Sequence, residues 1–376
     1  MKICVIGPTY PWRGGISHYN TLLVKGLRQK HAVRLFSFKR QYLNILFPGK
    51  TQIDNSKYTL KTENEPVFDS MNPWSWLVIV REIKRWQPQL LIFNWVTIYF
   101  AVQFAMIAYL VKIFTKTKIL IICHNVTQHE PIIGERIFEW IVFKNADYFI
   151  VHSEKDKQHL QKVIRNPNVY KAYHPIYERF KFIPMDMNEA RKKLKIMDKN
   201  IILYFGFVRP YKGLIYLIEA MPMIISKIDV KLLIVGEFWE DKGSYLRRIR
   251  QLSIEKHVLV IDRYIPNEEV GVYFNAANVI VLPYISATQS GIIQMAFGFN
   301  KPVITTNVGG LSEVVKNGKT GYVVPPKDSK ALAEAVIRYF AEDKEKEFTK
   351  NIMEEKRKFS WKNLIKVIES IANEEN

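Results

Sequence analysis

Short apolar runs alternate with helix-length stretches along almost the whole chain, and they form two separate series. The first set of runs covers residues 2–7, 33–38, 90–95, 118–123, 148–152 and 169–172. The second covers 201–205, 231–235, 258–261, 279–282, 302–305 and 321–324. Runs of this length read as strands, and the stretches between them (16–29, 74–86, 99–114, 135–144 and 154–163 in the first series) read as helices. Strand–helix alternation builds parallel sheets through right-handed crossovers. Two series therefore predict an α/β chain of two Rossmann-like parallel-sheet domains facing a central cleft. The first is expected over 1–178 and the second over 179–360, with a closing helix over 361–376. A length of 376 residues suits two domains. Residues 40–70 are polar and irregular and predict a long loop near the cleft.

Cys4 and Cys123 both sit inside apolar runs, so buried reduced thiols in a cytoplasmic protein are expected rather than a disulfide. The first seven residues read as a strand, not a signal peptide. Residues 90–111 hold no charged side chain, and about 20 apolar residues can span a bilayer. Asn94 and Gln103 interrupt the run and the strand–helix alternation continues through it, which favours a buried strand followed by a buried helix. The net charge is +19 and uneven: residues 1–180 hold 25 Lys and Arg against 12 Asp and Glu, residues 181–376 hold 30 against 24. Such a balance points to an anionic partner. No zinc-finger spacing, RNP-type motif or long basic run is present, so a nucleic acid is not expected. An anionic membrane surface or a phosphorylated substrate fits better.

Five stretches carry chemistry. Ile201 to Phe205 ends in Gly206, followed by Arg209, Lys212, Gly213 and a helix-like stretch. A glycine at a strand end lets the backbone turn sharply, and two cations at a helix entry form a phosphate site. Gly14 and Gly15, preceded by Arg13, open the first helix, where backbone N–H groups come close to a ligand; the spacing is neither a dinucleotide fingerprint nor a Walker loop. His124 and Asn125 directly follow a strand, a position that faces a cleft rather than a core. Thr288, Gln289, Ser290 and Gly291 precede a helix whose first amides suit a phosphate. A strand at 302–305, then Gly309, Gly310 and Glu313, completes the order strand, loop, helix, strand, Gly-Gly turn.

In the Gly14-Gly15 loop, His124-Asn125, the segment from Gly206 to Gly213 and residues 301–313, the chain resembles the retaining family-4 glycosyltransferases of the GT-B fold, the glycosyl transferases group 1 type, over nearly its whole length; the resemblance implies that the closing helix over 361–376 crosses back to the first domain. The resemblance implies that Arg209 and Lys212 bind the donor diphosphate and stabilise the departing charge. It places Gly14, Gly15 and Arg13 on the acceptor side near the donor phosphate. It sets His124 against the transferring sugar, and gives Gly206, Thr288, Gln289, Ser290, Gly291 and Gln294 to donor binding. No cofactor and no metal are expected; a nucleotide-diphosphate sugar is the co-substrate. One feature departs from the family. Its two Glu eight positions apart correspond to Ala287 and Met295, with Gln294 the nearest polar residue.

The expected activity is transfer of a sugar from a nucleotide diphosphate to the hydroxyl of a saccharide or lipid-linked acceptor in polysaccharide or glycolipid synthesis. The expected location is the cytoplasm, peripheral on the inner face of the membrane. Such chemistry needs orientation and charge neutralisation rather than the facing carboxyl pair of a glycoside hydrolase. Three alternatives remain open: a nucleotide-sugar epimerase of the same fold, a binding subunit without turnover, and an integral membrane protein threaded through 90–111.

Overall fold

The computed structural model describes residues 1–374 apart from 44, 46, 48, 127–133 and 181. It divides into two compact units. One comprises Met1–Asn55, Thr59–His174 and Ser360–Asn376, the other Ser56–Tyr58 and Pro175–Phe359. The closing helix, Trp361–Asn373, is thus part of the first unit.

The first unit runs β1 (Lys2–Ile6), α1 (Gly15–Leu27), β2 (Ala32–Arg40), β3 (Glu65–Asp69), α2 (Pro73–Trp86), β4 (Leu90–Trp95), α3 (Ala101–Phe114), β5 (Lys118–Cys123), α4 (Glu135–Phe143), β6 (Tyr148–Val151), α5 (Glu154–Val163) and β7 (Val169–Lys171). Its seven strands lie in the order β3-β2-β1-β4-β5-β6-β7, all parallel. The two-residue period of each strand sorts its side chains between two helical layers. Cys4, Ile6, Leu91, Phe93, Ile119 and Ile121 pack under α2, α3, α4 and α5. Ile3, Val5, Leu90, Ile92, Leu120 and Ile122 pack under α1 and the closing helix. Each such buried aliphatic or aromatic side chain contributes about 1.5–3 kcal/mol. The uncharged run 90–111 is accounted for by β4 and α3, and among the described residues no helix is long and apolar enough to cross a membrane.

The expected loop at 40–70 needs correction: β2 extends to Arg40 and residues 65–69 form the edge strand β3. Only Phe68 of β3 is buried, so no apolar run marks it. Arg40 holds its neighbour in place through a two-pronged ion pair to Asp69 at 2.8 and 2.9 Å.

The second unit contains α6 (Met187–Leu194), β8 (Ile201–Phe205), α7 (Leu214–Ile225), β9 (Lys231–Val235), α8 (Lys242–Gln251), β10 (Val258–Ile261), α9 (Asn267–Ala276), β11 (Val279–Leu282), α10 (Gly291–Gly298), β12 (Val303–Thr306), α11 (Leu311–Val314), β13 (Gly321–Val324), α12 (Ser329–Ala341) and α13 (Glu345–Glu355). Its parallel sheet has the order β10-β9-β8-β11-β12-β13. A capping box starts α6: the Asp186 carboxylate accepts from the Glu189 amide while Glu189 accepts from the Asp186 amide.

Candidate functional site

Each sheet reverses its strand order once, between β1 and β4 in the first unit and between β8 and β11 in the second. At such a switch the loops leaving the two strands diverge and open a crevice beyond their carboxyl ends. The glycine loops read from the sequence lie at these two points.

In the second unit, close backbone approach locks four loops together. Gly206 follows β8 with φ +111°, and Gly236 follows β9 with φ +148°; a Cβ on Gly236 would lie 2.0 Å from the Gly206 carbonyl oxygen. Gly213 closes the turn Pro210–Lys212 with φ +64°, and a Cβ there would lie 2.1 Å from the Pro283 oxygen after β11. The Ile285 amide donates to the Tyr211 carbonyl at 2.7 Å. Gly309 after β12 has φ +52° and leaves no room beside the Ala287 oxygen, while the Gly310 amide donates to Thr288 O at 2.8 Å. Only glycine tolerates such contacts at these angles. The floor of the site is therefore a rigid weave of backbone.

Lys212 is buried, and burial first, with the charge of Arg209 second, brings its ammonium down to about 8. Among the described residues no carboxylate or carbonyl oxygen is bonded to its Nζ, which lies 5.7 Å from the Tyr284 ring centroid. A Cβ on Gly206 would sit 3.1 Å from this Nζ and 3.5 Å from Ile292 Cδ1, so the ammonium and the first turn of α10 converge on one point. Ser290 is the N-cap of α10 and gives no side-chain cap, which leaves the first-turn amides of the helix without an intrahelical acceptor. An ammonium and a helix N-terminus aimed at one point form an anion site. Gln294, on the same helix, is buried, and its Oε1 has no hydrogen-bond partner among the described residues. Thr288 is also buried, whereas Gln289 and Gly291 are half-exposed.

Sequence reasoning missed an aromatic cluster at the ends of β8, β9 and β10. Phe207 stacks on Trp239 at 4.3 Å between centroids and faces Tyr264 at 6.4 Å; the Arg209 guanidinium lies 5.6 Å from the Trp239 ring and 5.7 Å from Tyr211. Three residues from three loops share no local pattern, although each lies within four residues of its strand's end. A cavity of about 730 Å³ also opens in this unit, with Asn307, Ser312 and Lys316 in its lining.

In the first unit, Gly14 (φ +110°) and Gly15 start α1, and a Cβ on either would meet nothing within 4 Å. The loop before them is tied to α1: Asn20 Nδ2 donates to Pro8 O at 2.9 Å, and the Thr9 and Thr21 hydroxyls pair at 2.6 Å. The Arg13 amide donates to Gln52 O at 2.9 Å, and its guanidinium lies 5.3 Å from the Phe47 ring. His124 differs from expectation, because it is buried rather than open. Its Nε2 donates to Asn94 Oδ1 at 2.9 Å, and its ring meets Tyr19 edge-on at 4.4 Å and His152 at 5.4 Å. Burial, then the neighbouring His152 and His174, hold its imidazole well below the usual range and neutral. His152 and His174 were not singled out; each follows its own strand, but nothing local joins them to His124. The Asn125 side chain donates to Val96 O at 3.2 Å.

Three comparisons bear on this geometry. Residues 186–359 match the family model described as glycosyl transferases group 1. A glycosyltransferase of Methanocaldococcus jannaschii is 30% identical over 172 residues, 45% of this chain and 43% of that protein. The N-acetyl-alpha-D-glucosaminyl L-malate synthase of Bacillus anthracis is 26% identical over 267 residues, 69% of this chain and 68% of that protein. The match thus spans less than half the length of the first of these relatives. The crystal structure of HepE from Anabaena in complex with UDP superposes with a TM-score of 0.77 and 17% identity, covering 100% of both chains. The two parallel sheets thus form a GT-B fold, and residues 186–359 are similar to the glycosyl transferases group 1 family.

Proposed function

We propose that this chain transfers a sugar from a nucleotide diphosphate to the hydroxyl of a saccharide or lipid-linked acceptor, with retention, in polysaccharide or glycolipid synthesis at the cytoplasmic face of a membrane. The observation that carries the reading is Lys212: a buried ammonium with no anionic partner among the described residues, beside the amides of α10 and three residues from Arg209. A buried cation is costly unless it is paired, and a diphosphate supplies the missing charge.

The leaving nucleoside diphosphate gains charge as the glycosidic bond breaks. Arg209 and Lys212 stabilise that charge, and the amides of Gln289, Ser290 and Gly291 hold the phosphate or sugar. Fixed donors are worth more here than in water, since they need no reorganisation. The Phe207–Trp239 stack offers a flat face for the base, and HepE, a protein of the same fold, was solved in complex with UDP, which supports a nucleotide as ligand. Gln294, one residue before the position (Met295) where the family carries a Glu, offers its unpartnered Oε1 to a sugar hydroxyl. Gly14, Gly15 and Arg13 keep the acceptor side, and His124 the contact with the sugar. The reading assigns no metal or cofactor, because charge neutralisation falls to the two cations.

A thermal-shift series with UDP, GDP, ADP and CMP tests the donor site. A ligand that binds only the folded state stabilises by RT ln(1 + [L]/Kd), about 2.7 kcal/mol at a hundredfold excess over Kd. A shift with one diphosphate that disappears in Arg209→Ala is expected; no shift with any of them would remove the donor site. Altered sugar formed from the nucleotide sugar alone would replace transfer by epimerisation. Nucleotide binding with no product under any acceptor would leave a binding subunit.

A further inference from the structure

The outer surface of α2, α3 and α4 is unusual for a helical layer. The three helices lie over one face of the first unit's sheet and bury their inward sides, with Trp76, Ile79, Phe104, Ile107, Val142 and Phe143 in the core. Their outward sides still carry large apolar groups: Trp74 is 75% exposed, Ile137 67%, Tyr109 56%, Ile113 53% and Trp140 48%. Large exposed apolar patches on a soluble protein mark a surface that meets something.

The charges say what it meets. The exposed ionisable residues of α2, α3, α4 and the C-cap of α4 include Arg81, Lys84, Arg85, Lys112, Arg136 and Lys144. None of the carboxylates on these helices is exposed: Glu82 and Glu135 are half-buried and Glu139 is buried, with Glu82 bonded to Arg34 and Arg85. The layer therefore offers cations and apolar rings with no exposed negative charge among them. Two of the cations lie over aromatic rings: Lys84 Nζ is 5.2 Å from the Phe114 centroid, and Lys144 Nζ is 4.3 Å from the Trp140 centroid.

We infer that the α2–α3–α4 face docks on a bilayer of anionic phospholipid. Trp and Tyr rings settle at the headgroup level, where one edge is apolar and the other wet, and Lys and Arg stems lie along apolar surface while their heads reach phosphate. A protein partner would select for mixed charge; a surface presenting only cations beside apolar rings complements an acidic lipid surface. None of the described helices is long and apolar enough to cross a membrane, so the inferred contact is one of the face lying on the bilayer. The inference deepens the membrane part of the proposed function, but it does not depend on transfer chemistry.

The test is co-sedimentation of the full chain with vesicles of phosphatidylcholine alone and of equal parts phosphatidylcholine and phosphatidylglycerol. Binding is expected only to the second and is released by added salt. The triple variant Arg81→Gln, Lys84→Gln, Arg136→Gln is expected to weaken binding by ~100-fold, since each cation near such a surface is worth about one factor of five. The triple variant Trp74→Ser, Ile113→Ser, Ile137→Ser is expected to weaken it as well, and thermal melts check that both sets remain folded. Equal binding to the two vesicles, binding to neither, or wild-type binding by both variants overturns the inference. A salt-insensitive dimer in sedimentation equilibrium that the apolar variant dissolves would give the face to a second copy instead. Vesicle binding needs neither donor nor acceptor, and Arg209→Ala is expected to bind vesicles normally, so failure here leaves the transfer reading standing.

Discussion

Lys212 and Arg209 are close like charges, and after burial the Arg209 charge is what lowers the Lys212 ammonium. Removing the Arg209 guanidinium in Arg209→Ala is expected to cost about 2–3 kcal/mol of transition-state stabilisation, a loss of ~30- to 160-fold in kcat/KM measured on the active donor. Lys212 adds a pH signature. Its ammonium titrates at about 8 rather than its ordinary 10.5, so the free protein gives up that proton as pH rises through 8. A bound diphosphate holds the proton on. Donor affinity is therefore expected to be full below pH 8 and to fall above it, while Lys212→Arg, whose side chain stays charged, flattens the profile. Isothermal titration across pH 7–10 distinguishes the two. Gln294 gives a third residue-scale expectation. A buried oxygen without a partner costs about 1–3 kcal/mol, so Gln294→Met should raise the melting temperature of the free protein and weaken donor binding. A variant that loses both would make Gln294 a packing residue.

Elements account for what was and was not legible in the amino-acid order. The turn after β8 could be read because its glycines and cations are consecutive, and the structure supplies their reason: φ +111° at Gly206 and the Pro283 oxygen against Gly213. The strand β3 escaped because an edge strand with one buried side chain leaves no apolar run, and it begins Glu65–Pro66. His124 was read as open because a strand end usually faces a crevice, but Tyr19 from α1 and His152 from beyond β6 close over it. The same geometry separates two glycines that look alike in the sequence. Gly14→Ala meets only backbone strain, since its Cβ space is empty; Gly309→Ala meets strain and the Ala287 carbonyl together. Both positions have positive φ, where alanine destabilises. Melting curves should show a modest drop for Gly14→Ala and a larger one for Gly309→Ala. Equal drops would mean that the loop after β11 yields, and the donor floor would not be rigid.

At the scale of the whole molecule, the two units are expected to differ in how they respond to acid. Seven of the eight histidines belong to the first unit's stretch of chain, and only His257 lies between Pro175 and Phe359. His124, His152 and His174 cluster around Tyr19, which Trp361 of the closing helix covers at 5.1 Å. Burial brings His152 down to about 4, even though its Nδ1–H donates to Ala172 O at 2.7 Å, and holds His124 well below 6.5. The sign follows directly. Between pH 6.5 and 4 the unfolded chain takes up protons that the folded unit refuses, so stability falls with pH across that window and the loss is complete for His152 near 4. Each such imidazole removes about 1.4 kcal/mol per pH unit, two buried in one core remove about twice that, and Glu139 of the same unit, raised to about 8 by burial, offsets about one of them down to its ordinary 4.5. The first unit is thus expected to fail before the second as pH drops from 7 toward 5, and protease should cut it first, leaving a fragment containing residues 186–359. His152→Gln, which carries no titrating proton, should reduce the slope of melting temperature against pH below 6.5. If the slope is unchanged in that variant, or the second unit is cut first, the histidine cluster does not set the acid limit of this fold.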